Sequence, residues 1–325
     1  MKTIAITSFH TLISRNILAT PVLETLRNQK DLRIVLVVPD YKVDFFRDRF
    51  GGGQVFIYGA EQYRASRSFA GLLFKRLGML VYNTPTTRMK KAYKYYWDKK
   101  IFHYLFGIFM GFIGRSFVVR RVIRFLDLSL SPKDLFKPLF DEYKPDLIFS
   151  TDIQNENDVS LAQDAIRRGA KTVGMIRSWD NPTQRILRVW PDKLLVGSRA
   201  LYDEVWKYYR YPREKTIITG NPHYDKYLHP RITGREEFFK KWGLDLAKKL
   251  LLYTASGHIL MKVNDYDQHI METLGQFDGQ VLVRFPLSGD VRLVDFKQPA
   301  NMAIDKPGEK FGNKELELRE EDDIS

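Results

Sequence analysis

The sequence contains no cysteine, which excludes disulfides, thiolate metal sites and a cysteine nucleophile and fits a reducing compartment. Its start, MKTIAITSFH, holds no apolar run long enough for a secretory leader, so a cytoplasmic protein is expected. The strongly apolar stretch Ile101 to Gly114 runs for 14 residues without Lys, Arg, Asp or Glu. That is too short to cross about 30 Å of hydrocarbon, which takes roughly 20 residues. Neither GxSxG nor GxxxxGK[ST] occurs, which argues against an elbow hydrolase and a P-loop NTPase. The six histidines are scattered, so no metal site is expected. Low-complexity tracts and solenoid-period repeats are also missing.

What is present describes a folded chain. Charged residues make up 28% and hydrophobic ones 44% of 325 positions, a length that predicts two domains. Short β-branched runs punctuate the first two hundred residues: TIAITSF, LRIVLVVPD, QVFIYG, DLIFSTD, KTVGMIRSW, KLLVGS and TIITGN. Continuous apolar runs of this kind suit strands buried on both faces. Between them, Thr20 and Pro21 can cap and open a helix, and NDVSLAQDAIRRGA ends at Gly169, where a helix should stop. The alternation predicts an α/β protein with a parallel sheet over residues 1–222. A linker is expected over 223–246 and a second, smaller domain over 247–325. There KKLLLYTASGH and GQVLVRFPLSGD repeat the strand pattern, a helix is expected between Tyr266 and Gln276, and KELELRE is read as a third strand.

The net charge of +13 is concentrated. Between Glu61 and Lys137 there are 16 Lys and Arg against 4 acids, so an anionic partner is expected for a helical insertion over 61–138. RMKKAYKYYWDKK gathers Met89, Ala92, Tyr93, Tyr96 and Trp97 on one helical arc and Lys90, Lys91 and Lys94 on another. SFVVRRVIRFL sets Val118, Val119, Val122, Ile123 and Leu126 against Arg120, Arg121 and Arg124. Amphipathic helices with a cationic face can lie on an anionic bilayer. Lys90, Lys91, Lys94, Trp97, Arg120, Arg121 and Arg124 are the expected contacts. Ordinary core helices with solvated charges are the alternative, and a nucleic-acid surface a weaker one, since no module signature accompanies the charge.

In a parallel α/β sheet, ligands bind beyond the carboxyl ends of the strands. The segments there are SFHTLISRN, STDIQNEND, RSWDNPTQR and GNPHYD. They offer His10, Arg15 and Asn16, then Asp152, then Ser178, Trp179, Asp180 and Asn181, then Asn221. His10 could instead only cap a helix, Asp152 only satisfy loop amides, and Trp179 only fill a core. Asp180 is the foremost candidate base, because a carboxylate beside an aromatic wall can have its proton affinity raised. In the second domain, YTASGH brings Ser256 and Gly257 to a strand end, where backbone amides can approach a phosphate, and VRFPLSGD brings Arg284.

SWDN, RVWPDKLLVGS, ALYDEVWKYYRYPREK and TIITGNPHYD resemble the amino-terminal half of bacterial surface-polysaccharide glycosyltransferases of GT-B architecture. That group is related to the UDP-N-acetylglucosamine 2-epimerases and the CDP-glycerol glycerophosphotransferases. TGNPHYD is similar to the Gly-Asn-x-x-x-Asp segment closing the first domain, and RFPLSGD departs from the Arg-x-His-Pro of relatives. The resemblance implies two Rossmann-type domains, the second incomplete here, with the chain ending where relatives continue. It implies a metal-independent transferase without cofactor, taking a sugar from a nucleotide-sugar donor to a membrane-linked glycan at the inner face of the plasma membrane. Asp180 would activate the acceptor, with His10 and Asp152 as the next candidates. Ser178, Trp179, Asn181, Arg15 and Asn16 would line the acceptor side, and Asn221, Ser256, Gly257 and Arg284 would hold the donor. Glycerophosphate transfer, or a truncated non-catalytic member binding membrane or a partner, remains open.

Overall fold

A computed structural model describes residues 1–228, 233–257, 265–286 and 291–307, together with two short strands, Glu309–Lys310 and Leu316–Glu317. The chain divides into two compact units, Met1–His223 and Tyr224–Ser325.

The first unit is built on seven parallel strands: β1 (Lys2–Thr7), β2 (Leu32–Pro39), β3 (Val55–Ala60), β4 (Leu147–Ser150), β5 (Lys171–Met175), β6 (Lys193–Val196) and β7 (Thr216–Ile218). Their order is β3-β2-β1-β4-β5-β6-β7, so the sheet grows outward in both directions from β1 and β4. In register, Ile4 lies between Ile34 and Leu147. The continuous apolar runs are what such a sheet needs, because helices cover both of its faces. Ile34 through Val38 are completely buried.

The helices of this unit are α1 (Thr11–Ile13), α2 (Pro21–Arg27), α3 (Val43–Phe50), α4 (Phe69–Leu80), α5 (Pro85–Asp98), α6 (Ile101–Ile113), α7 (Phe117–Leu130), α8 (Lys137–Tyr143), α9 (Glu156–Arg167) and α10 (Arg199–Tyr209). A π-helical turn, Ser14–Leu18, continues α1. The expected caps are formed: the Thr20 hydroxyl accepts from the Val22 amide, and Gly169 closes α9 with a φ of +75°, a conformation that glycine adopts without strain. Helix α9 is buried from Glu156 to Ala165. The insertion between β3 and β4 is helical, as α4 to α7.

The second unit holds α11 (Arg235–Trp242), α12 (Tyr266–Leu274) and a separate parallel sheet ordered β10-β9-β8, from β8 (Leu250–Thr254), β9 (Gln280–Arg284) and β10 (Met302–Asp305). Two differences from expectation appear here. The segment read as a linker contains α11, anchored by buried Phe239. The third strand is Met302–Asp305, whose Met302 side chain is buried; within KELELRE only Leu316–Glu317 is described, pairing antiparallel with Glu309–Lys310. The remainder of that stretch, EDDIS, and residues 287–290 of the RFPLSGD segment lie outside the described residues.

Candidate active site

The strand order reverses between β1 and β4, the topological switch point where open parallel sheets bind ligands. The two strand ends are sewn together there. The Thr151 amide donates to Thr7 Oγ1 at 2.9 Å, and Thr151 Oγ1 donates to the Thr7 carbonyl at 2.8 Å. Below them Asp158, in the first turn of α9, accepts from Thr7 Oγ1 and from Ser150 Oγ at 2.8 Å. Burial, reinforced by the Asp152 charge, pushes the Asp158 carboxyl up to about 7 against the opposing hydrogen bonds.

His10 and Asp152 stand above this base. The Leu12 amide donates to His10 Nδ1 at 3.2 Å, so His10 does cap α1. With that lone pair engaged, the neutral ring carries its proton on Nε2 and presents a donor. Burial, then the Arg177 charge, lowers the His10 pKa to about 4. Both observations count against His10 as a base. Asp152 Oδ2 accepts from Arg177 Nε at 2.8 Å, while its buried Oδ1 and the buried Ser8 Oγ have no hydrogen-bond partner among the described residues. Unsatisfied buried oxygens call for a further partner, such as an ordered water or a ligand group. Arg15 and Asn16 sit half-buried in the π-helical turn, Arg15 Nε donating to Asn16 Oδ1 at 3.1 Å; such turns recur at functional sites.

The loop after β5 carries Ser178, Trp179, Asp180 and Asn181. Trp179 is 79% exposed, so it neither fills a core nor forms the wall that was expected to shield Asp180. Asn181 is buried, and its amide donates to the Ser178 carbonyl at 3.1 Å. Asp180 is half-buried and accepts from Gln184 Nε2.

What the sequence did not disclose is how this loop is held. Tyr82 OH donates to the Pro182 carbonyl at 2.7 Å, Thr84 Oγ1 to the Thr183 carbonyl, and Thr86 Oγ1 to Thr183 Oγ1 at 2.9 Å. Lys90 Nζ then donates to Gln184 Oε1 at 2.8 Å, and burial lowers the Lys90 pKa. The start of α5 therefore grips the Asp180 loop residue by residue. A second joint lies deeper. Arg188 is buried and forms a two-pronged pair with Asp127 of α7, at 2.7 and 2.9 Å, while its Nη1 reaches Glu156 of α9 at 2.6 Å.

At the end of β6, Gly197 is required by Asn221: a Cβ there would stand 2.3 Å from Asn221 Oδ1. In the second unit the expected phosphate loop is already occupied. The Ser256 and Gly257 amides donate to buried Asp267 at 2.9 and 2.8 Å, so the loop is organised around a carboxylate. Arg284 donates to Asp305 at 2.9 Å. Of that set, the Ser256 side chain is exposed.

The expected lipid contacts divide. Lys94, Trp97 and Arg121 are exposed. Lys91, by contrast, lays its stem over Gly107 and donates to the carbonyls of Leu80 and Gly107 at 2.9 and 2.7 Å. Arg120 donates to the Tyr208 carbonyl at 2.6 Å. Arg124 lies 4.6 Å over Trp190, its pKa lowered to about 10 by burial. These three cations are structural, and Arg121 aside the outward faces of α6 and α7 are largely apolar: Phe102 is 85% and Phe125 68% exposed.

No family model and no curated relative matches the sequence. Solved structures share its fold. The chain is similar to the UDP-GlcNAc 2-epimerase of Neisseria meningitidis bound to UDP-GlcNAc, at 12% identity and a TM-score of 0.53, over 96% of this chain and 74% of that one. It is also similar to the glycotransferase of kitacinnamycin, at 10% identity and a TM-score of 0.45, over 94% of this chain and 70% of that one. A glycosyltransferase from Rickettsia africae is similar at 9% identity and a TM-score of 0.43, over 89% of this chain and 61% of that one. The chain thus spans 61% to 74% of the length of these structures. Its two parallel-sheet units are of the GT-B kind.

Proposed function

We propose that this chain is a metal-independent, inverting glycosyltransferase that moves a sugar from a nucleotide-sugar donor to a membrane-linked glycan acceptor. Its place would be the inner face of the plasma membrane, in cell-surface polysaccharide synthesis. The observation that carries this reading is the direct hydrogen bonding of the Asp180 loop to the start of α5. A carboxylate at a strand end is thereby built into the same body as the basic, aromatic helices.

In this reading the acceptor hydroxyl oxygen attacks the anomeric carbon and gives its proton to Asp180. The bond from that carbon to the diphosphate breaks, the nucleoside diphosphate leaves with the electron pair, and the configuration inverts. His10, presenting Nε2–H, and Asp152, oriented by Arg177, would position the acceptor. Ser178, Trp179, Asn181, Arg15 and Asn16 would frame it. In the second unit the Ser256 hydroxyl would contact the donor, whereas Gly257 and Arg284 would serve only if Asp267 and Asp305 gave them up.

Asp180→Asn tests the central role, since the amide keeps the shape and can still accept from Gln184. Turnover should fall roughly 100- to 10,000-fold while donor affinity, read by calorimetry, hardly changes. Normal turnover with a lowered melting temperature would make Asp180 a structural residue. Failure to bind any nucleoside diphosphate or nucleotide sugar would end the transferase reading. A second reading, 2-epimerisation of a nucleotide sugar, is favoured by the Neisseria meningitidis likeness; a UDP-GlcNAc sample followed by NMR would reveal the 2-epimer with no acceptor present. CDP-glycerol belongs in the same donor screen.

A further inference from the structure

We infer that α6 lies flat in one leaflet of an anionic bilayer, buried below the headgroups, so that the insertion holds the membrane mainly by apolar contact and not by its cations. This deepens the membrane half of the reading above. Its grounds are separate from the sugar chemistry, and its test uses no donor, so either can fail alone.

Helix α6 spans 13 residues, about 20 Å at 1.5 Å per residue. No single helix is long and apolar enough to span a membrane among the described residues; α6 and α7 together reach that composition, but they meet at a bend of 104°. The ends of α6 decide its orientation. Lys99 and Lys100 precede it and Arg115 follows it, all exposed, with no Lys, Arg, Asp or Glu between. Cations at both ends must stay at the phosphate level, so neither end can dive and the helix must lie parallel to the surface.

Its inner side is fixed by Gly107, which sits against the Lys91 stem, and by Gly111, which sits against the Lys91 Nζ and Asn83. Outward, Phe102, Phe106, Phe109 and Phe112 are exposed, and Phe125 and Leu130 of α7 extend the apolar area. An exposed patch of this kind on a soluble surface marks an interaction site. At the rim, Tyr95 stacks on Tyr104 with centroids 5.0 Å apart, and Trp97 packs on Tyr93 and Tyr96. Amphipathic rings of this type settle at the headgroup level.

Charge selects lipid over a second copy of the chain. A two-fold interface apposes a patch with itself, and here it would bring Lys99, Lys100 and Arg115 against the same cations. An anionic leaflet complements them.

The lack of cysteine supplies the test. In the full chain, Phe102→Cys and, as a distant surface control, Gln29→Cys each introduce a unique site for an environment-sensitive fluorophore. With phosphatidylcholine vesicles containing phosphatidylserine, the probe at 102 should shift blue and be quenched by lipids brominated deep in the acyl chains, and the probe at 29 should not respond. Binding should survive 1 M NaCl to within about tenfold, because salt screens the cations but not apolar burial. Phe102→Ser combined with Phe109→Ser should lower vesicle partitioning roughly 100-fold with an unchanged melting temperature. Three results would overturn the inference: no vesicle binding; binding abolished by salt and indifferent to the Phe changes; or a dimer in solution that the Phe changes dissociate.

Discussion

The seven-stranded sheet and the α5 to α7 helices are both rich in apolar side chains, and they turn them in opposite directions. Ile34 to Val38 are sealed between helical layers, whereas Phe102, Phe109 and Phe125 face outward and the cations Lys91, Arg120 and Arg124 are folded in beneath them. Hydrophobicity thus does not by itself dictate burial. In the sheet, neighbouring strands and both helical layers compete for every apolar surface. In the insertion, carbonyls at Leu80, Gly107 and Tyr208 and the face of Trp190 bind the cations from inside. Once those contacts form, part of the apolar arc of α7 is left outward, with Val118, Val122 and Leu126 exposed while Ile123 packs on the core.

The joint between the two regions is where breakage should cost most. Arg188→Met leaves Asp127 buried without its cation and Glu156 with Arg185 alone, and stability by urea unfolding should fall by about 3–5 kcal/mol. Combining it with Asp127→Leu and Glu156→Gln should recover much of the loss; no recovery would mean that Arg188 acts through packing alone.

A paired truncation addresses the comparison itself. Leu36→Ala empties space in a sealed sheet and should cost about 2–5 kcal/mol. Phe102→Ala, in lipid-free buffer, should change stability by less than about 0.5 kcal/mol, as exposed substitutions do. A comparable loss at Phe102 would place its ring inside a packed interface and cancel the contrast.

The smallest effect is one of pH. Because the folded Asp158 carboxyl titrates near 7, above its unfolded value, its contribution is fully present at low pH and is lost as pH rises through 7. His10, lowered to about 4, works the other way, and its contribution is lost as pH falls below about 6.5. Between about 4 and 6.5 the two slopes oppose each other and the wild type should be nearly flat. From 6.5 to 8 only Asp158 acts, and stability should decline by roughly 1 kcal/mol. Asp158→Asn should abolish that decline and let stability rise with pH in the lower window. An unaltered profile in the variant would assign the slope to another group.

Strand runs and helix caps were legible in the sequence because they are local: Thr20 before Pro21, Gly169 after α9, and β-branched runs ended by polar clusters at Asp152 and Asp180. Most of what escaped is decided across long sequence separations. The arc of Arg120 and Arg124 was identified, but its direction depends on Tyr208 and Trp190, which periodicity cannot see. The amides of Ser256 and Gly257 looked free because nothing in YTASGH announces Asp267 as their partner. Strand β10 was passed over because four residues ending in Asp305 carry little pattern. His10 was visible, yet its tautomer follows from the Leu12 amide and so from the local backbone fold.

The Arg188 bridge has a mechanical consequence. One guanidinium ties α7, which carries part of the apolar outer surface, to the first turn of α9, which underlies the switch point. A link this short and buried allows little give, so the height of the strand-end oxygens above whatever plane α6 and α7 rest on is a fixed dimension of the molecule. On the proposed reading, with a bilayer as that plane, the protein would behave as a gauge, admitting acceptors whose hydroxyl projects from the lipid by that one height and passing over those with a shorter or longer stem.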